Sequence, residues 1–176
     1  RNLKSIDFLR QKILKKNINS NSVIFDIGAN KGQSIERFSQ LFVNPTIHSF
    51  EPISDEFKEL KKEYQNNKNV YLNNFALGEK KEIKEINITA LSQNSSFNKI
   101  NLRTKWLKTR SKQSKTTEDG YVKKIEKVNI STLDNYVKEN NIDKIDLVKI
   151  DTQGYEDKVL EGSLETIKNK IGRAHV

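Results

Sequence analysis

Cysteine is absent from the 176-residue sequence, which excludes disulfide bonds, zinc–thiolate centres and catalysis by a thiol nucleophile. Histidine is nearly absent too, with two residues in the chain. Nothing in this composition needs oxidising conditions, so we predict a cytoplasmic protein. No group of carboxylates has the spacing of a metal site, and we therefore expect no metal ion.

Long apolar runs are also lacking. Hydrophobic residues make up 34% of the chain and charged residues 31%, and no run approaches the ~20 apolar residues that a membrane-spanning helix needs. The length suffices for one domain with its own hydrophobic core. Because no linker or internal repeat divides the sequence, we predict a single domain over residues 1–170, with an inserted hairpin and lid at about 79–130.

The last six residues, IGRAHV, need separate treatment. Translated back into codons, they resemble the start of a common short-read sequencing adapter. We therefore expect residues 171–176 to be an artefact that follows a natural sequence cut at about Lys170. For the same reason we expect no functional role for His175.

Basic residues outnumber acidic ones, and the formal net charge is +9. Residues 103–127 hold nine Lys or Arg and three Asp or Glu, a net +6, so two thirds of the excess charge lies in one segment. Such a segment is either an exposed, solvated loop or a surface that attracts an anionic acceptor or nucleic acid.

Strands and helices alternate along the first half of the chain. Apolar periodicity predicts helices at 3–16, 33–42 and 55–66 and strands at 23–27, 46–50 and 70–75. Ser54 is the predicted N-cap of the third helix. This order is typical of a parallel sheet with right-handed crossovers, so we predict an α/β, doubly wound, mostly parallel fold.

The middle of the chain breaks this alternation. Residues 82–89 and 123–130 each alternate with a period of two, and we predict that they pair as antiparallel strands. The polar stretch between them predicts a long loop or lid with some helical content. The alternation then resumes with a helix at 132–140, a strand at 145–150 and a helix at 155–169.

The stretch DIGANKG, which begins at Asp26, follows the first predicted strand. Gly28 and Gly32 let the backbone approach a ligand closely, and Asn30 tolerates the left-handed region. The spacing G-x-x-x-G differs from the dinucleotide pattern G-x-G-x-x-G. Asp26 would repel a pyrophosphate but suit a ligand that carries ammonium and sulfonium groups. We predict a nucleoside-type ligand here, although a plain strand–helix turn has the same pattern.

Further acidic residues end two other predicted strands. An acid at the position of Glu51 accepts hydrogen bonds from ribose hydroxyls in doubly wound sheets, and Asp151 ends the strand at 145–150 on the same edge. Lys149, inside that strand, is either one half of a structural ion pair or a group that orients the substrate or acts as a base. Glu156 is either a general base or a favourable charge at a helix start.

Together these segments resemble the FkbM family of S-adenosylmethionine-dependent methyltransferases. The resemblance is carried by FDIGANKGQ, FEP at 50–52, NNFALG at 73–78, STLD at 131–134 and IDLVKIDTQGYEDKVLEG at 145–162. It covers about residues 20–165 and implies a Rossmann-like class I methyltransferase sheet, whose last two strands are missing from this chain. Gln153 departs from a common family version, DVEGAE, which has an acid at that position.

The resemblance implies S-adenosylmethionine as the cofactor. The residues it implies in binding are Asp26, Gly28, Ala29, Asn30 and Gly32 for the methionine part, Glu51 for the ribose, Asn74, Phe75 and Ala76 for the adenine, and Asp151 beside the sulfonium.

The family is mainly associated with O-methylation, often of sugars or glycan-linked compounds. We therefore expect a small-molecule or glycan acceptor, anionic if the basic segment contacts it. Asp151, Glu156 and Lys149 are the candidate bases, in that order. Three alternatives stay open: an RNA methyltransferase that uses the basic residues 103–127, a nicotinamide-dependent oxidoreductase, and a non-catalytic nucleoside-binding fragment.

Overall fold

The computed structural model describes residues 21–98 and 104–171, without the side chain of Trp106. The helix predicted at 3–16 lies outside these residues, as does all of 171–176 except Ile171. The strands are β1 (Val23–Ile27), β2 (Thr46–Phe50), β3 (Val70–Asn73), β4 (Ala76–Leu77), β5 (Glu82–Thr89), β6 (Val122–Ser131) and β7 (Leu147–Ile150). The helices are α1 (Gln33–Leu41), α2 (Ser54–Tyr64), α3 (Lys105–Gln113), α4 (Leu133–Glu139), α5 (Glu156–Glu161) and α6 (Leu164–Asn169).

Four parallel strands form the central sheet, in the order β3-β2-β1-β7. Apolar side chains cover both of its faces. Phe25 and Ile27 belong to one buried cluster, whereas Ile24 belongs to a second one with Ile35 of α1. A parallel sheet buried on both faces is typical of α/β proteins, so the predicted fold class is confirmed.

A smaller sheet has the order β4-β6-β5. β5 and β6 pair antiparallel, which confirms the predicted pairing of residues 82–89 with 123–130. β4 runs parallel to β6 and follows β3 after two residues, so it links the small sheet to the central one. The predicted helical content between β5 and β6 is present as α3 and a short 3₁₀ turn at Ser92–Asn94.

The predicted N-cap of α2 is wrong. Ser54 is the first residue of the helix, and Ile53 occupies the cap position. The Ser54 backbone N–H and hydroxyl both donate to Glu126 Oε1 on β6. That acceptor comes from a strand 72 positions further along the chain, so local sequence could not reveal it.

The single helix predicted at 155–169 is also wrong, because the segment forms two helices. α5 ends at Glu161 and α6 begins at Leu164. The carboxylate of Asp134 accepts hydrogen bonds from the backbone N–H groups of Glu165 (3.2 Å) and Thr166 (2.8 Å) at the start of α6. A cap supplied from α4 thus starts a new helix where the periodicity alone predicts a continuous one.

We expect Gly162→Ala to lower the free energy of unfolding by about 1–3 kcal/mol through overpacking. The φ angle of Gly162 is −82°, which alanine adopts without strain, but its Cβ would lie 1.9 Å from the carbonyl oxygen of Gly78. Urea unfolding measures the change. Leu164→Ala is the control, since Leu164 is 65% exposed. A Gly162→Ala protein as stable as the unsubstituted one would contradict this packing.

Candidate functional site

A cavity of about 430 Å³ lies at the carboxyl ends of β1, β2 and β7. Residues 27–30, 50–53 and 151–153, from the ends of these strands and the loops after them, line it. The carboxyl edge of a parallel sheet is where α/β proteins bind their ligands. The cavity is therefore the candidate functional site.

Gly28 brings the loop after β1 against the end of β7. Its φ is 84°, and a Cβ atom would lie 2.1 Å from the carbonyl oxygen of Asp151, so only glycine fits. Asn30 adopts the left-handed region at φ 48° and lines the cavity with Ala29. Gly32, at φ 83°, occupies the N-cap position of α1 and is not among the lining residues.

Glu51 is 4% exposed and joins the loops after β1 and β2. Its Oε2 accepts a hydrogen bond from the Asn30 N–H and its Oε1 one from the Ile53 N–H, both at 2.8 Å. Burial raises the pKa of Glu51 to about 7, although the two hydrogen bonds lower it. Because the pKa of Glu51 is higher in the folded protein than in the unfolded chain, the free energy of unfolding falls as the pH rises toward 7. Acids that lower stability in this way are common at functional sites.

Asp26 and Lys149 form an ion pair between neighbouring strands. Lys149 Nζ lies 3.1 Å from Asp26 Oδ1 and donates a hydrogen bond to the Gly28 carbonyl at 2.7 Å. Burial raises the pKa of the fully buried Asp26, and the lysine partly offsets that effect. Lys149 lines the cavity whereas Asp26 does not. Asp26 therefore contacts the lysine, and its contact with a ligand stays a prediction.

Asp151 and Glu156 have different surroundings. The Asp151 side chain is exposed, lines the cavity and accepts a hydrogen bond from Gln153 Nε2 at 2.6 Å. The Glu156 carboxylate accepts hydrogen bonds from the Thr152 and Gly154 N–H groups, at 2.8 and 2.9 Å. Burial raises the pKa of Glu156, but these bonds outweigh it and the net shift is downward. Glu156 is not among the lining residues, and its role as a base stays a prediction.

Three residues after β3 are predicted to lie beside an adenine ring, and the structure places them in different surroundings. Ala76 lines the cavity. Asn74 Nδ2 donates to the carbonyl oxygens of Glu51 and Pro52, at 2.9 and 3.1 Å. Phe75 packs against Phe50 in the core. Asn74 and Phe75 thus support the loop after β2 from behind, and their contact with a ligand stays a prediction.

A comparison with known protein families matches residues 26–173 to the methyltransferase FkbM domain. The chain belongs to the FkbM methyltransferase family. No curated protein matches the chain significantly. The match covers all three loops at the cavity, confirms the resemblance found in the sequence, and makes the chain a methyltransferase.

Part of this FkbM methyltransferase's cavity was not predicted from the sequence. Residues 92–95 line it, and Ser92 Oγ accepts a hydrogen bond from Asn30 Nδ2 at 3.2 Å. Ser96 Oγ donates to the Gln153 carbonyl at 2.7 Å. The segment therefore connects the loops after β1 and β7. Its only sequence signal is the polar stretch SQNSS, which is also typical of an ordinary loop.

His48, the histidine within the described residues, lies outside the cavity lining. Its Nδ1 is 2.8 Å from the Tyr136 hydroxyl, and burial lowers its pKa to about 4, so it is neutral at physiological pH. Within residues 21–98 and 104–171, no three His, Cys, Asp or Glu side chains group closely enough to hold a metal ion. Across the same ranges, no helix has both the length and the apolar character to cross a membrane.

We expect Lys149→Met to lower the free energy of unfolding by about 2 kcal/mol, below the range for fully buried pairs because the Lys149 side chain is 25% exposed. The loss should shrink at low pH, where the buried Asp26 is protonated and no longer needs a cation. Urea unfolding at several pH values measures both effects. The control is Lys144→Met, which removes a lysine whose side chain is 70% exposed from its pair with Asp146. An equal loss in the two variants would refute the importance of the buried pair.

Proposed function

We propose that this FkbM methyltransferase transfers a methyl group from S-adenosylmethionine to a hydroxyl oxygen of a sugar or glycan-linked small molecule. The observation that carries the proposal is the buried Glu51 carboxylate on the cavity wall, tied to the glycine loop through Asn30. A carboxylate at the end of the second strand suits the two hydroxyls of a ribose. The hydroxyl acceptor follows the family's main association with O-methylation.

The cavity's residues fit a nucleoside that has a charged amino-acid end. Asn30 Oδ1 is buried without a hydrogen-bond partner among the described residues, so it offers an acceptor to an ammonium group. Lys149 offers a cation to a carboxylate. Ile53, Ala76 and Leu77 supply apolar lining that suits an adenine ring.

S-adenosylmethionine supplies a methyl group that is already activated on its sulfonium. The protein must hold the acceptor in line, exclude water and take up the hydroxyl proton. We propose Asp151 as the base, since it lines the cavity and Gln153 orients one of its oxygens. The other candidates are less suitable, because Lys149 is engaged with Asp26 and Glu156 lies off the lining.

Action on RNA has less support. The basic segment holds two aromatic residues, Trp106 and Tyr121. The Tyr121 side chain is fully buried, and its hydroxyl accepts a hydrogen bond from Asn94 Nδ2. Single-stranded RNA recognition uses exposed aromatic rings. A small acceptor therefore suits this cavity better.

We expect S-adenosylhomocysteine to raise the midpoint of thermal unfolding, and NAD to leave it unchanged. A ligand at a hundred times its Kd stabilises the native state by about 2.7 kcal/mol. Glu51→Ala should abolish the shift, while Glu59→Ala, on the exposed side of α2, should keep it. A cooperative transition with no shift in the unsubstituted protein would refute the proposed donor.

We also expect S-adenosylhomocysteine affinity to rise with pH up to about 7. Glu51 must be ionised to accept hydrogen bonds from both ribose hydroxyls, and burial raises its pKa to about 7. If only the ionised form binds, affinity falls about tenfold per pH unit below that value. Calorimetric titration between pH 5 and 8 measures this. Glu51→Gln should bind weakly with a flat profile; a flat profile in the unsubstituted protein would contradict the role of Glu51.

A further inference from the structure

The loop after β7, residues 151–154, has an unusual backbone conformation. Gln153 has a φ angle of 56° and Gly154 one of 92°, so two consecutive residues have positive φ. Glycine adopts such angles freely, whereas glutamine, which has a Cβ atom, does so rarely. A residue stays in this region where the contacts around it hold it there. The partners of Gln153 therefore identify what fixes this loop.

Hydrogen bonds hold the loop from two sides. On one side, the Glu156 carboxylate at the start of α5 accepts from the Gly154 N–H at 2.9 Å. On the other side, Ser96 Oγ donates to the Gln153 carbonyl at 2.7 Å, and Asn98 Nδ2 donates to the Gly154 carbonyl at 2.8 Å. The Asn98 N–H in turn donates to Ser96 Oγ at 3.1 Å. Two neighbouring side chains from the segment between β5 and β6 thus bind consecutive carbonyls of the loop.

Ser96 is itself anchored on the small sheet. Its N–H and carbonyl exchange hydrogen bonds with the backbone of Asn87 on β5, at 3.2 and 2.9 Å. The side chain is buried, with 7% of the residue exposed. The next residue, Phe97, packs its ring against that of Tyr155, directly after the loop, with the ring centroids 4.6 Å apart. The small sheet therefore supplies a fixed support for the loop after β7.

The side chain of Gln153 carries this support to the cavity. Its Nε2 donates to Asp151 Oδ1 at 2.6 Å, and both residues line the cavity. The Asp151 side chain is exposed, so packing alone does not select its rotamer. A hydrogen bond to a carboxylate is among the stronger ones in proteins and fixes its direction. The orientation of Asp151 therefore depends on where Ser96 holds the backbone of Gln153.

We propose that Ser96 is a positioning residue of this methyltransferase, and that together with Asn98 it orients the Asp151 carboxylate through Gln153. This inference rests on the proposed function, in which Asp151 takes up the hydroxyl proton of the acceptor. A base must lie within hydrogen-bond reach of that proton, and a displacement of about 1 Å lowers the rate about a hundredfold. The segment between β5 and β6 thus contributes to the chemistry without supplying a reacting group.

The test compares two ligands of the donor site. S-adenosylhomocysteine has an uncharged sulfur, whereas sinefungin carries an ammonium group where S-adenosylmethionine carries its methyl group. The ratio of their Kd values therefore reports a carboxylate that is held beside the methyl position. Calorimetric titration measures both values in the unsubstituted protein and in four variants: Ser96→Ala, Asn98→Ala, Gln153→Leu and Asp151→Asn.

Ser111→Ala is the matched control. Ser111 is another buried serine between β5 and β6, but its hydroxyl donates to the Lys108 carbonyl of its own helix. The variant therefore removes a buried hydroxyl from the same segment and leaves the loop after β7 with its partners. Both affinities should be the same in Ser111→Ala as in the unsubstituted protein.

We expect the unsubstituted protein to prefer sinefungin, and Asp151→Asn to reduce that preference at least about tenfold. Ser96→Ala and Gln153→Leu should each reduce it about threefold, while S-adenosylhomocysteine affinity changes less than about twofold. Because Ser96 acts through Gln153, adding Ser96→Ala to Gln153→Leu should have no further effect. If Ser96→Ala does not fold, Asn98→Ala carries the same expectation.

A second measurement needs no ligand. The side-chain amide of Gln153 gives nitrogen-15 NMR signals, which are assigned by their loss in Gln153→Leu. We expect these signals to shift in Asp151→Asn, which removes the charge of the acceptor, and in Ser96→Ala, which releases the backbone. They should stay in place in Ser111→Ala.

A sinefungin preference that is unchanged in Ser96→Ala, or that falls further when Ser96→Ala is added to Gln153→Leu, would overturn the proposal. So would an equal weakening of both ligands, which would indicate support of the whole cavity. A preference that survives in Asp151→Asn would leave no base at the methyl position for Ser96 to orient. If neither ligand binds, the proposed donor is refuted, and the NMR signals decide: a shift in Ser96→Ala supports the positioning of Asp151, and no shift overturns it.

Discussion

The buried ion pair of Asp26 and Lys149 is the interaction on which the candidate site depends. The two residues lie opposite each other in the register of β1 and β7, the last two strands in the order of the central sheet. An unpaired carboxylate there would cost several kcal/mol, so the acid requires β7 as its neighbour. Lys149 also binds the Gly28 carbonyl, which fixes the start of the glycine loop. The Lys149 side chain thus holds β7 beside β1 and also fixes the first residue of the loop after β1.

Backbone contacts extend this arrangement around the cavity. Gly28 packs against the carbonyl of Asp151, so the loops after β1 and β7 meet without a side chain between them. Glu51 binds the N–H groups of Asn30 and Ile53 and thus holds the loops after β1 and β2. A site formed from backbone at the ends of packed strands keeps its shape without a ligand, which reduces the ordering cost of binding.

Local signals made most of the fold and three of the cavity's loops predictable. Apolar periodicity predicts the strands of the central sheet, and the glycines and acids at their ends predict the loops at Gly28, Glu51 and Asp151. Partners distant in the sequence determine the rest. Ser92 meets Asn30 across 62 positions, and Ser96 meets Gln153 across 57. Neither contact produces a periodic pattern in the sequence. The sequence also does not distinguish Arg110, which lines the cavity, from the neighbouring lysines, which are exposed.

The division of the cavity between sheet and insertion has a consequence for specificity. Glu51, Lys149 and Asp151 come from the central sheet, whereas residues 92–95 and Arg110 come from the segment between β5 and β6. Among the described residues, the two parts meet through side-chain contacts, such as the hydrogen bond of Asn30 with Ser92 and the packing of Phe97 against Tyr155, and no strand pairing joins them at the cavity. Substitutions in the insertion therefore leave the pairing of the strands that position Glu51, Lys149 and Asp151 unchanged. Under the proposed function, an acceptor that contacts the insertion would be selected by side chains that the central sheet does not need, so that one donor site could serve different acceptors.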